Sequence, residues 1–155
     1  MNPLQQAPQV KPGEAIPEGW QPFDMPETFI DYVGPFYRKR EAVGMRLGLR
    51  IEQRHCNRLP FAHGGMLSAV CDVLISLAAL RAAKPTSGGV TASMNVDFLG
   101  TAKKGAWLEG YATPRRVGRQ LVFVDCVLSA DGKEVVRATG IWKVGLPESI
   151  PAAGQ

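Results

Sequence analysis

Cysteine is scarce in this sequence: Cys56, Cys71 and Cys126 are the three present, an odd number with no paired spacing. That excludes a disulfide-stapled secreted scaffold, and each thiol sits in or beside an apolar run, where Cys behaves as a small hydrophobe. They read as reduced thiols of a cytoplasmic protein. Residues 1–10 lack both the basic start and the apolar block of a secretory signal, so no export is expected. Long hydrophobic runs are missing too. The longest, residues 66–80, is interrupted by Asp72 and falls short of the roughly 20 residues that span a bilayer, so a buried helix is expected and no membrane partner. There is no long Lys/Arg run, no zinc spacing and no glycine–aromatic motif of the kind that stacks bases. The net charge of +4 therefore does not point to nucleic acid.

What is present suffices for one domain. A chain of 155 residues buries about two-thirds of the surface its unfolded form exposes. Six of the twelve prolines fall within residues 1–26, a composition that resists helix and sheet alike. The division read here is a proline-rich arm over residues 1–28, pinned by Trp20 and Phe23, a folded domain over 29–147 and a tail over 148–155. Residues 29–37 read as a helical turn before the first strand, ending at Gly34-Pro35.

Two extended pieces, residues 36–40 and 45–51, flank Gly44; in the second, Met45, Leu47, Leu49 and Ile51 alternate with Arg46, Gly48 and Arg50. From His63 to Ala83 the rhythm becomes helical, with Leu67, Val70, Leu74, Leu77 and Leu80 recurring every three or four residues. Strands follow at 90–99, 106–114, 119–129 and 133–144, with Val117-Gly118 and Asp131-Gly132 as hairpin turns. The class is α+β: an antiparallel sheet of five or six strands that must cover its apolar face with one long helix.

Asp72 demands a reason, because a lone carboxylate in an apolar helix costs several kcal/mol unless it is partnered or lines a cavity. Ser68 and Ser76 lie four residues to either side, so Asp72 belongs to a stripe of small and polar side chains. An ion pair with Arg81 or Arg137 is the competing explanation. Gly64 and Gly65 open the helix, where backbone N–H groups lack intrahelical partners and glycine lets a ligand approach closely. Such a turn can hold a developing oxyanion, and a carboxylate further along can serve as base or nucleophile. Taken singly, His63 is a capping histidine, Asn57 a loop residue making its own turn, Thr91 an ordinary β-former and His55 a surface residue.

Asn57, His63-Gly64-Gly65 six residues on, Asp72 nine after the histidine, and residues 89–95 (GVTASMN) together resemble the hot-dog-fold acyl-CoA thioesterases of the phenylacetate-degradation and small mitochondria-associated type. The resemblance covers about residues 36–145. It implies the hot-dog fold and hydrolysis of acyl-CoA to free acid and CoA, with no cofactor beyond the CoA of the substrate and no metal. It assigns Asp72 as catalytic carboxylate and the Gly64 amide as the group polarising the carbonyl. Asn57 would position water or carbonyl, His63 would sit near the sulfur, and Thr91 would come from a partner subunit. A homodimer, paired into a homotetramer, is implied as well. The segment 59–62 departs from the family, where a glycine often stands between Asn and His, and this bears on pocket shape. Gly65 and Ser68 are the further substrate-binding candidates beside the helix start. For the CoA phosphates the candidates are Arg115, Arg116 and Arg119 about the Val117-Gly118 turn, with Lys103 and Lys104 behind them. Two alternatives compete: acyl-thioester dehydration or hydration on the same scaffold, which usually pairs His with Glu or Asp in a different motif, and a non-enzymatic acyl-CoA sensor.

Overall fold

The computed structural model describes residues 16–145 apart from residues 27, 43 and 85–87. The elements in order are β1 (Gln21–Phe23), α1 (Phe29–Val33), β2 (Phe36–Arg40), β3 (Met45–Arg50), a 3-10 turn (Gln53–His55), α2 (Gly64–Ala83), β4 (Gly89–Phe98), β5 (Trp107–Val117), β6 (Leu121–Ala130) and β7 (Lys133–Val144). They form one seven-stranded sheet in the order β1-β2-β3-β5-β6-β7-β4, with every pairing antiparallel. Against this sheet packs the 20-residue α2, which makes the architecture the expected hot-dog fold.

The strand periodicity holds in three dimensions. Val122, Val124, Cys126 and Leu128 of β6 are buried, while Leu121 and Phe123 face outward. At the β6–β7 hairpin both Asp131 (φ 47°) and Gly132 (φ 80°) take the left-handed conformation that a two-residue type I′ turn requires. The Asp131 carboxylate also accepts the Trp107 N–H at 2.9 Å. Sheet and helix meet through Leu67, Val70, Leu74 and Ile75 of α2, each at most 3% exposed; burying one such side chain contributes about 1.5–3 kcal/mol. Of the helical series read from sequence, Leu77 is only partly buried and Leu80 is 41% exposed, while Ala79 between them is fully buried. Close approach of the layers depends on glycine. A β-carbon on Gly110 would lie 2.3 Å from Leu128 and 2.8 Å from Leu74, and one on Gly140 would lie 2.8 Å from Ile75.

The proline-rich arm is more structured at its end than its composition predicts. Gln21–Phe23 pairs with Phe36–Arg38 as an edge strand, a position that tolerates Pro22 because no neighbour needs its missing N–H. Trp20 meets Trp107 edge-on, ring centres 5.1 Å apart, and the Tyr37 ring lies 5.8 Å from Trp107. A β-carbon on Gly48 would strike both tryptophans, at 2.5 and 2.8 Å. The expectation for Trp20 is thus met by an aromatic cluster on the outer sheet face. Residues 1–15 and 146–155, hence most of the arm and the tail, lie outside the described residues.

Candidate active site

His63 is the N-cap of α2: its backbone is extended (φ −67°, ψ 137°) and its Nδ1 accepts the Gly65 N–H at 2.9 Å. An Nδ1 used as acceptor places the ring proton on Nε2, which leaves that N–H to donate to a ligand. Gly64 follows, and its N–H belongs to the first turn, whose donors have no intrahelical acceptor. Asn57 makes its own turn, as its residue type alone predicts: Oδ1 accepts the Leu59 N–H at 2.8 Å, and its own N–H reaches Phe61 O at 2.9 Å. That engages one lone pair of the amide oxygen and leaves the Nδ2 hydrogens as donors. Asn57, His63 and Gly64 therefore each offer a donor, suited to a carbonyl or oxyanion.

Along α2 a stripe of small and polar residues, Ser68, Ala69, Asp72 and Ser76, is half-buried where the neighbouring Leu67, Val70, Cys71 and Leu74 are fully buried. The Ser68 hydroxyl donates to Gly64 O at 2.9 Å, so the residue expected to meet substrate spends its proton inside the helix. Asp72 has no hydrogen bond or ion pair among the described residues. The competing ion-pair explanation does not hold: Arg137 binds Glu134 at 2.5 Å, which raises the arginine pKa and lowers that of the glutamate, and Arg81 makes no ion pair there. The Ser76 and Thr91 hydroxyls are 3.3 Å apart, so Thr91 stands one helical turn beyond Asp72 in the same chain. At the other end of β4, the Phe98 ring lies 3.2 Å from where a Gly64 β-carbon would be. Strand β4 thus runs along the stripe from Ser76 to Gly64. It is also an edge strand, and its far side has no partner among the described residues.

The basic cluster expected for phosphates is divided. Arg115 is committed to Asp125 at 2.6 Å. Arg116 and Arg119 flank an open hollow of about 690 Å³ with Gly118, Gln120, Leu121 and Phe123. Lys103 and Lys104 do not stand behind them. They precede β5, whereas Arg115 and Arg116 stand at its far end and Arg119 just beyond it, which separates the groups by roughly 30 Å. The lysines instead border the Asn57 loop: Phe61 bridges to Lys103, and Lys104 N–H donates to Pro60 O at 2.9 Å. Among the described residues no three His, Cys, Asp or Glu side chains gather as a metal site.

Sequence reasoning missed His55. Far from a surface residue, it is 3% exposed. Its Nδ1 accepts the Glu52 N–H at 2.9 Å and its Nε2 pairs with Val33 O at 2.7 Å, while its backbone carbonyl accepts the His63 N–H at 2.8 Å. Burial is the main cause that lowers its pKa, helped by Arg54 and opposed by the Val33 and Gly34 carbonyls and by Glu52. The one local signal is the Glu52–His55 capping-box spacing that starts the 3-10 turn; the other partner, Val33, is 22 residues away and leaves no pattern in the sequence.

Residues 59–137 match the sequence pattern of the thioesterase superfamily, 79 of the 155 residues. The chain belongs to the thioesterase superfamily. Within that superfamily, this thioesterase chain is 33% identical over 128 residues to a "Putative esterase" of Pseudomonas aeruginosa, covering 82% of this chain and 96% of the relative. It is 30% identical over 91 residues to acyl-coenzyme A thioesterase 13 of Mus musculus, 57% of this chain and 64% of that one. Among solved structures, a "putative thioesterase, phenylacetic acid degradation-related protein" of Ralstonia eutropha superposes with a TM-score of 0.63 at 28% identity, covering 69% of this chain and 84% of that chain. Both branches of the expected family are therefore represented among its relatives.

Proposed function

We propose that this protein hydrolyses acyl-CoA thioesters, in a site that two chains complete together. One observation carries the reading: donors at the start of α2 and in the loop before it (His63 Nε2, Gly64 N–H, Asn57 Nδ2) accompany a half-buried carboxylate, Asp72, with no partner among the described residues. The similarity to an acyl-CoA thioesterase supports the substrate class.

Helix geometry supports the sharing. Ser76, and with it Thr91, stands twelve residues beyond Gly64, or about 18 Å along the axis, and Asp72 about 12 Å. A carbonyl bound to an amide and touched by a carboxylate spans only about 7 Å at contact distances. Thr91 and Gly64 of one chain cannot address one thioester. Two antiparallel chains paired through their β4 edges would bring Asp72 and Thr91 of one chain toward Asn57, His63 and Gly64 of the other, and would cover the open edge. Outward-facing Leu121 and Phe123, each 38% exposed, and Val117, 51% exposed, give such dimers an apolar face for pairing into a tetramer.

In the reaction, Asp72 takes a proton from water as the water oxygen attacks the thioester carbonyl carbon. The developing oxyanion is held by Gly64 N–H and Asn57 Nδ2, the C–S bond breaks, and CoA leaves as a thiolate that takes up a proton. Arg116 and Arg119 are the remaining candidates for CoA phosphates at the Thr91 end, and Lys103 and Lys104 at the Gly64 end. Free, buried Cys71 and Cys126 favour a reducing compartment, the cytoplasm, for this chemistry. Thiol release from a panel of acyl-CoAs by wild type and Asp72→Ala tests the reading. A loss of about 10²-fold or more is expected; an Asp72→Ala variant as active as wild type refutes the assignment.

A further inference from the structure

A buried imidazole that touches no reacting atom joins the candidate site to a remote part of the fold. The His55 ring spans from Glu52 N–H, accepted by Nδ1 at 2.9 Å, to Val33 O, reached by Nε2 at 2.7 Å. Because a backbone N–H can only donate, Nδ1 is unprotonated and Nε2–H is the donor to Val33. The ring therefore braces the 3-10 turn against the end of α1. Through its backbone the same residue fixes the N-cap, since His55 O accepts the His63 N–H at 2.8 Å. Asn57 is two residues further on. A second brace runs parallel, as Arg54 Nη2 donates to Gly34 O at 2.5 Å and pairs with Glu52 at 3.1 Å.

We infer that His55 is a positioning residue of the active site: its neutral ring, clamped between Glu52 N–H and Val33 O, sets where Asn57 and His63 stand and hence where the thioester carbonyl is held. The inference rests on the hydrolase reading above. Its physical basis is the steep dependence of rate on alignment, since a misplacement of about 1 Å can cost about 10²-fold. A residue serving stability alone would lower the folded fraction and leave turnover per folded molecule unchanged.

Two variants separate these roles. In His55→Gln the side-chain amide N–H can still reach toward Val33 O, whereas in His55→Asn the shorter amide can accept from Glu52 N–H but falls short of Val33. Turnover is measured per folded molecule, well below each variant's melting temperature. The expected result is a kcat about 10-fold lower for His55→Asn with KM within about twofold, and recovery to within about threefold of wild type in His55→Gln. A wild-type kcat in both variants, or a loss confined to KM, overturns the inference. If His55→Asn does not fold, Arg54→Met removes the parallel brace from a more exposed position; a fall in kcat of about threefold is expected, and an unchanged kcat overturns the inference. Backbone amide chemical shifts of Asn57, His63, Gly64 and Gly65 report the displacement without substrate. Shifts that move in a protein whose wild type releases no thiol sink the hydrolase reading and leave the brace standing. Unmoved shifts beside a lowered kcat sink the brace.

Discussion

If the site is shared, two dead chains can make a living enzyme. Asp72→Ala removes the carboxylate, and Asn57→Ala removes a donor from the other half-site. Each homodimer then carries two damaged sites, and each is expected to lose about 10²-fold or more. When equal amounts are denatured and refolded together, half of the dimers are hybrids. In a hybrid, one site combines both lesions and the other combines the intact Asp72 and Thr91 of the Asn57→Ala chain with the intact Asn57, His63 and Gly64 of the Asp72→Ala chain. Half of the dimers with one good site of two gives about a quarter of wild-type activity. A site contained within one chain gives no rescue, because every chain in the mixture carries a lesion, and the mixture stays near about 1%. The two outcomes differ about 25-fold in a thiol-release assay. The expectation follows from the roughly 18 Å that separate Ser76, with Thr91 at 3.3 Å, from Gly64 on the same helix. A mixture no more active than its components, with hybrid formation verified by differently tagged chains, refutes the shared site.

Two further predictions concern stability. Burial holds the His55 pKa below its ordinary value, so the folded chain favours the neutral ring. The corresponding stability is fully present above the unfolded pKa of about 6.5 and is lost as pH falls through the lower folded value. Melting temperatures of wild type and His55→Gln should converge as pH drops from 7 to 5, and a constant difference contradicts the clamped neutral ring. Gly110→Ala places a β-carbon 2.3 Å from Leu128 Cδ2 and 2.8 Å from both Leu74 Cδ1 and the Val127 carbonyl oxygen. Overpacking of this kind costs about 2 kcal/mol, a fall in melting temperature of roughly 5 °C; an unchanged melting curve shows that α2 does not press on β5 as described.

The sequence discloses elements better than it discloses neighbours. The helix start at His63-Gly64, the alternation that buries Leu47, Leu49 and Ile51, and the Asp131-Gly132 hairpin are local features, written in residues that lie close together along the chain. β1 escapes notice because proline composition outweighs a three-residue pairing that only the β2 edge makes possible. The apparent arginine cluster loses Arg115 to Asp125, ten residues away on the next strand, and lies a whole strand away from Lys103 and Lys104. The burial of His55 is hidden for the same reason, because one of its two ring partners is a carbonyl 22 residues earlier.

The stripe on α2 shows where local reading stops and assembly begins. Small residues about Asp72 already indicate that this side of the helix is not packed like the rest, and half-burial of Ser68, Asp72 and Ser76 bears that out. The strand laid along the stripe is β4, which ends the sheet and has a free edge among the described residues. An unpaired carboxylate and an unpaired strand edge therefore occur side by side, and one event, the docking of a second β4, answers both. It would pair the exposed backbone groups of the edge and set donors beside a carboxylate that has none among the described residues of its own chain. On this argument a substitution that blocks edge pairing, such as Val96→Pro on β4, whose N–H by strand alternation points away from β7, should abolish dimer and activity together, since Pro removes an N–H and its ring obstructs an approaching strand. Sedimentation and thiol release on the same sample decide it: a monomer that still turns over acyl-CoA at the wild-type rate would show that the edge and the carboxylate are unrelated.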